Sequence, residues 1–187
     1  MSERAESYVQ LSRVMWLGLG TWRAAAVEGL ELKPGHSILD LATAFAELPL
    51  EMVRREPQIQ VVGLDPSRQK LAIAENEIER AGAEGLIQLV PGNAERLPFA
   101  SESFDGVSMA FGMHGVSDQG QALREMHRVL RPGGRLVLVE MSGLGRCRPF
   151  EGLVTLMKSA GLEVVQTRPL SFGVGGLSVA QKRWGEF

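Results

Sequence analysis

Asp40 lies near the end of an apolar run, Ser37–Ala42, and Asp65 closes a second run, Gln60–Leu64, some 25 residues later. Between them come a short loop, Ala42-Thr43-Ala44-Phe45-Ala46, and a helical pattern that starts at Glu47. Strand, loop, helix, strand and acid form the layout by which α/β folds hold adenosine-containing ligands, with a carboxylate gripping the ribose hydroxyls. Charge-assisted bonds of that kind contribute about 1.5–3 kcal/mol. Asp65 has a second reading, as an acid ahead of Pro66 that complements a helix N-terminus. Asn93-Ala94-Glu95, just past a third apolar run, would offer polar partners to an adenine edge, or would simply be a turn. His114, in Phe111-Gly112-Met113-His114 after a fourth run, could act as a base near neutral pH or be a loop histidine without chemical duty.

These residues need a frame that brings strand ends together. The pattern predicts an opening helix from about Glu3, a short helix from Trp22 to Glu28, and a turn at Lys33-Pro34-Gly35. Strands are expected at Ser37–Ala42, Gln60–Leu64, Ile87–Val90, Gly106–Ala110 and Arg135–Glu140. Helices are expected from Glu47 to Arg55, with Pro49 in the first turn, and from Pro66-Ser67 to a stop at Gly82. Further helices are predicted at Asp118–Leu130, stopped by Pro132-Gly133-Gly134, and at Pro149–Ala160. Leu162–Thr167 and Leu177–Gln181, joined by the glycines from 173 to 176, read as an antiparallel hairpin. Strands separated by helices imply a mainly parallel sheet with helices on both faces.

Composition narrows the function classes. The chain has 187 residues, 44% apolar and 22% charged, which fits one globular domain spanning 1–187. A net charge of −2 gives no footprint for nucleic acid. The single cysteine, Cys147, excludes an internal disulfide and fits a reducing, cytoplasmic setting. No metal set is expected. Arg124, Arg128, Arg131 and Arg135 read as a solvated helix face interrupted by Glu125, and His36 and His127 as surface residues. Trp16, Leu17, Leu19 and Trp22 make an apolar N-terminal segment that suits a lid (residues 1–30), a dimer contact or a peripheral touch on a membrane.

The ordered set of motifs resembles the ubiquinone/menaquinone biosynthesis C-methyltransferase family, within the class I S-adenosylmethionine (SAM) methyltransferases. The matching residues are Tyr8, Met15-Trp16-Leu17-Gly18 and Trp22-Arg23, then Ile38-Leu39-Asp40-Leu41-Ala42 and Val62-Gly63-Leu64-Asp65. They continue through Gly92-Asn93-Ala94-Glu95-Arg96-Leu97-Pro98-Phe99, Ser103-Phe104-Asp105 and Arg128-Val129-Leu130-Arg131-Pro132-Gly133-Gly134. The resemblance implies a Rossmann-like α/β fold with a seven-stranded, mostly parallel sheet ending in an antiparallel hairpin. It also implies SAM as cofactor. Asp65 with Pro66 would then lie at the ribose, Asn93 and Ala94 at the adenine, and Asp40, Ala42, Ala44 and Phe45 at the methionine end. Ala110 would line the pocket, and His114 would serve a small, quinol-like acceptor.

The chain departs from the family where chemistry is done. Thr43-Ala44-Phe45-Ala46 replaces a glycine-rich loop, His114-Gly115 replaces an arginine–asparagine pair, and Val9 replaces an acid. Only Met141–Arg148 connects the fifth strand to the last helix, where the family has a helical insertion. Two expectations follow: an active methyltransferase with an altered loop and a more open acceptor side, or a catalytically silent relative serving as a binding or regulatory subunit. An open side also allows a homodimer or a partner chain to complete the site.

Overall fold

The computed structural model describes residues 21–141, 150–170 and 175–184. The helix expected from Glu3, most of the connection before the last helix, and the first part of the glycine turn lie outside these residues. Helix α1 (Thr21–Leu30) leads into β1 (Ser37–Leu41), α2 (Glu47–Arg55), β2 (Gln60–Asp65), α3 (Arg68–Arg80) and β3 (Ile87–Pro91). After β4 (Phe104–Ala110) come a 3₁₀ turn (Met113–Gly115), α4 (Gln119–Val129), β5 (Leu130–Met141), α5 (Phe150–Ser159), β6 (Leu162–Leu170) and β7 (Gly175–Lys182). The strands form one sheet in the order β3-β2-β1-β4-β5-β7-β6. Neighbours pair in parallel except β7, which runs against both β5 and β6. This is the expected architecture, with the hairpin inserted so that β6 forms the edge.

Hydrophobic spacing explains how each layer is placed. Leu48, Met52 and Val53 on α2, and Ala74 and Ile78 on α3, recur at helical intervals and join α1 against one face of the sheet. Ala122, Leu123, Met126 and Val129 on α4, with Leu153 and Met157 on α5, cover the other face. Strand β5 serves both layers: Val137 and Val139 enter the first core, Leu136 and Leu138 the second. Truncating Leu138 to alanine should cost about 2–5 kcal/mol. Caps mark the helix ends: the Ser67 and Asp118 side chains accept from the Lys70 and Gln121 amides. Gly82 and Gly161 turn the chain after α3 and α5 at φ +64° and +86°, where a Cβ would be strained.

Two details differ from the sequence expectation. Pro132-Gly133-Gly134 does not separate helix from strand; it lies inside β5, which begins at Leu130 opposite Phe104. A register shift between Phe104 and Gly106 absorbs the irregular backbone, as a bulge does. The arginines also do more than form a solvated face. Arg128 pairs with Glu125 and donates to the Leu97 and Phe99 carbonyls, Arg131 pairs with Asp105, and Arg135 reaches Glu31 and the Gly29 carbonyl. They tie α4 to the loop at residues 97–99, β5 to β4, and β5 to α1. His36 and His127 are half-buried rather than fully at the surface. Among the described residues, no helix is long and apolar enough to cross a membrane.

Candidate active site

The strand order reverses between β1 and β4, and a parallel sheet opens a crevice at such a point beyond the carboxyl ends of its strands. A cleft of about 530 Å³ lies there, within the usual range of ligand pockets. All ten residues singled out from the sequence line it. Asp40, Ala42, Ala44 and Phe45 come from the end of β1 and the following loop, Asp65 and Pro66 from the end of β2. Asn93 and Ala94 follow β3, and Ala110 and His114 come from β4 and the turn beyond it. The sequence reading did not name Glu47, Lys70 or Phe111 as site residues; Trp22, from the segment read as a lid, a dimer contact or a membrane touch, reaches the cleft from the start of α1.

The loop after β1 takes the path of a glycine loop although it has none. Ala42, Ala44 and Ala46 stand at φ +53°, +49° and +59°, alternating with Thr43 and Phe45. A residue with a Cβ pays roughly 1–2 kcal/mol for that conformation, so something must hold it. The Ala44 amide donates to Asp65 Oδ2 at 3.1 Å, and the Thr43 amide donates to the Leu64 carbonyl at 3.1 Å. Thr43 packs directly over Gly63, where a Cβ would sit 2.8 Å from its hydroxyl. Thus β2 holds the loop at three adjoining residues.

Asp65 is buried, and its other oxygen accepts from the Ser67 amide at 2.9 Å at the start of α3. The side chain thus supports a helix start, as one of its two readings expected, and it also lines the cleft. Asp40 is also buried, with the Ser108 hydroxyl donating to Oδ1 at 2.6 Å. Burial pushes its pKa from 3.8 up to about 7, against the hydroxyls of Ser108 and Thr43, and nearby Asp65 adds to the rise. Asn93 is exposed, and its side chain shapes the local turn by accepting from the Glu95 amide at 2.9 Å. Glu95 in turn accepts from the Asp118 amide at 2.7 Å and ties this turn to the start of α4.

On the β4 side, Phe111 takes φ +55° and its ring meets Trp22 edge-on at 5.1 Å. The Arg23 guanidinium lies 4.6 Å from the centre of the Trp22 ring and pairs with Glu47. Gly112 follows where there is no room for a side chain: a Cβ would come within 2.7 Å of the Ala42 Cβ. Met113 is buried, and His114 is exposed at the cleft mouth.

Residues 2–152 match the ubiE/COQ5 methyltransferase family. The chain belongs to that family. It is similar to a demethylmenaquinone methyltransferase of Deinococcus radiodurans, at 36% identity over 96% of this chain and 89% of the relative. That alignment covers 220 positions, more than the 187 residues present, so it opens gaps in this chain. Similarity to the ubiquinone/menaquinone biosynthesis C-methyltransferase UbiE of Geotalea daltonii is again 36% identity, over 74% of this chain and 60% of that protein. Among solved structures, the [4+2]-cyclase SpnF superposes with a TM-score of 0.82 at 20% identity, covering 88% of this chain and 80% of the other. A geranyl diphosphate methyltransferase in complex with SAM gives 0.77 at 14% identity, with 87% and 84% covered. These likenesses establish the class I methyltransferase fold. Because a cyclase shares that fold, the reaction has to be argued from the site.

Proposed function

We propose that this chain is a SAM-dependent methyltransferase that acts on a ring carbon of a small, quinol-like acceptor. The observation that carries the reading is the alternating left-handed path of Ala42, Ala44 and Ala46, fastened to Asp65, at the strand-order reversal. The cradle keeps its shape without glycine, which removes the main reason for expecting a silent relative. The residues present also fit the cofactor. Each Asp65 oxygen accepts one amide and keeps a second lone pair for a ribose hydroxyl. Asn93 and Ala94 would flank the adenine. Asp40 would face the cationic methionine end, and a cation there would draw its carboxyl back toward the ionised form.

Bound SAM supplies a methyl group on a cationic sulfur, an activated donor. The protein's share is alignment and exclusion of water. Trp22 and Phe111 wall the cleft with apolar rings, and His114 would take the proton from a phenolic hydroxyl as the ring carbon becomes nucleophilic. We read residues 1–187 as one domain, in which α1 packs on the sheet and contributes Trp22 to the wall of the cleft. A lipophilic acceptor would bring this face against a membrane surface.

Calorimetric titration with SAM and with its demethylated product tests the reading. Binding weaker than roughly 10 μM is expected, and no heat at millimolar ligand would sink it. His114→Ala should leave that affinity intact while slowing methyl transfer about 100-fold.

A further inference from the structure

We infer that Glu140 is the positioning residue of the acceptor-side turn: from the end of β5 its carboxylate fixes the Gly112–Gly115 backbone and thereby aims His114 at the cleft. The aim matters for methyl transfer, so the inference rests on the function proposed above. The geometry stands by itself. Glu140 is only 6% exposed, and its Oε1 accepts from the Met113 amide at 2.7 Å, with the Gly112 amide beside it. The preceding residue of β5 acts at the other end of the turn, where the Val139 carbonyl accepts from the Phe111 amide at 2.7 Å. Gln119 completes the hold by donating to the Met113 carbonyl at 2.9 Å. Met113 is thus fixed through its amide, its carbonyl and its buried side chain, and His114 is the next residue.

A buried acid is a costly way to satisfy amides. Burial pushes the Glu140 carboxyl from 4.5 up to about 7, against the two amides that favour its ionised form. A core position chosen for packing alone would carry an apolar residue, as Leu136 and Leu138 do on the same strand. The carboxylate gives the turn a strong acceptor at one fixed point. Misplacing a reacting group by about 1 Å can cost on the order of 100-fold in rate.

The experiment compares wild type, Glu140→Leu and Glu140→Gln by amide hydrogen exchange, SAM calorimetry and methyl transfer to 1,4-dihydroxynaphthalene held reduced. Glu140→Leu should raise exchange at residues 112–115 about tenfold or more with the central strands unchanged. It should keep SAM affinity and the KM for SAM within about twofold and lower kcat about 10–100-fold. Glu140→Gln, which retains an acceptor oxygen, should recover most of the rate. Unchanged turn exchange overturns the inference, as does kcat within about twofold of wild type. So does a rate loss matched by equal loss of SAM affinity and faster exchange throughout the sheet, because that is a purely structural role. If wild type binds no SAM, the methyl-transfer reading fails by itself, and turn exchange alone decides whether Glu140 is the clamp.

Discussion

The loop after β1 and the turn after β4 leave adjacent strands at one edge of the sheet, and each is held by an acid from the strand on its far side. Asp65 of β2 accepts from Ala44, and Glu140 of β5 accepts from Met113. Each region also contains non-glycine residues in left-handed conformation, Ala42, Ala44 and Ala46 in one and Phe111 in the other. They differ in what else the acid faces. Asp65 lines the cleft while it holds its loop; Glu140 is not among the residues that line it. Under the proposed function, one region would combine support with recognition, whereas the other would separate them, leaving recognition to His114. Removing each acid should have correspondingly different consequences.

The largest effect is expected at Asp65. Asp65→Ala removes the proposed ribose acceptor and the tie to the Ala44 amide together. SAM affinity measured by calorimetry should fall at least about 100-fold, near 3 kcal/mol, a sum of two charge-assisted contacts. A loss under about tenfold would mean that the carboxylate serves its loop alone. The contrast with Glu140→Leu, where affinity is preserved, is the sharpest test of the difference between the regions.

Asp40 lies between the two, on β1 and bonded to Ser108 of β4. Its folded pKa is raised from 3.8 to about 7, so between those values the folded chain holds a proton that the unfolded chain has lost. This contribution to stability is complete below about pH 4 and disappears as pH climbs through 7. Asp40→Asn keeps an oxygen for Ser108 and removes the titration. Chemical unfolding at pH 8 should find the variant more stable than wild type, with the gap closing near pH 4. A constant gap across that range would remove Asp40 as the titrating group.

The two regions touch at Gly112, whose absent side chain leaves room for Ala42 and Met109. Gly112→Ala would place a Cβ 2.7 Å from the Ala42 Cβ and 2.8 Å from Met109 Cγ. The methionine can swing away; Ala42, tied to its backbone, cannot. Destabilisation of about 2 kcal/mol in denaturant unfolding is expected, with weaker SAM binding because Ala42 lines the cleft. Unchanged binding would show that the two regions move independently.

Much of the first region was legible in the sequence. Asp40, Asp65 and Asn93 each lie at or just past a strand, and in a parallel sheet such ends converge on one edge, so linear spacing became spatial proximity. The loop was harder to read. Absent glycines suggested a changed path, yet the backbone kept the glycine conformation because Leu64 and Asp65 hold two successive amides. The second region gave no comparable signal. Glu140 ends an apolar strand like many surface acids, and its partner is an amide 27 positions earlier in the chain, a contact no local pattern encodes. Arg128, Arg131 and Arg135 were misread for a similar reason, since their partners lie far away in the chain, on the Phe99 loop, on β4 and on α1.

The smallest and most discriminating change is Ala44→Gly. At φ +49° the alanine carries strain of about 1–2 kcal/mol, which glycine lacks. Glycine also makes the unfolded chain more flexible, which returns roughly 0.5–1 kcal/mol of that gain. Ala44 is half-buried and loses little packing, so a net stabilisation of about 0.5 kcal/mol is expected, with SAM affinity rising a few-fold as the loop relaxes. Ala46→Gly is the matched control. Its φ of +59° carries the same strain, but its methyl is fully buried and contributes to the core, so relief and lost burial should roughly cancel. Should Ala44→Gly weaken both stability and binding, the left-handed path at that residue is wrong, and with it the claim that an acid on β2 holds this loop in a conformation that ordinarily favours glycine.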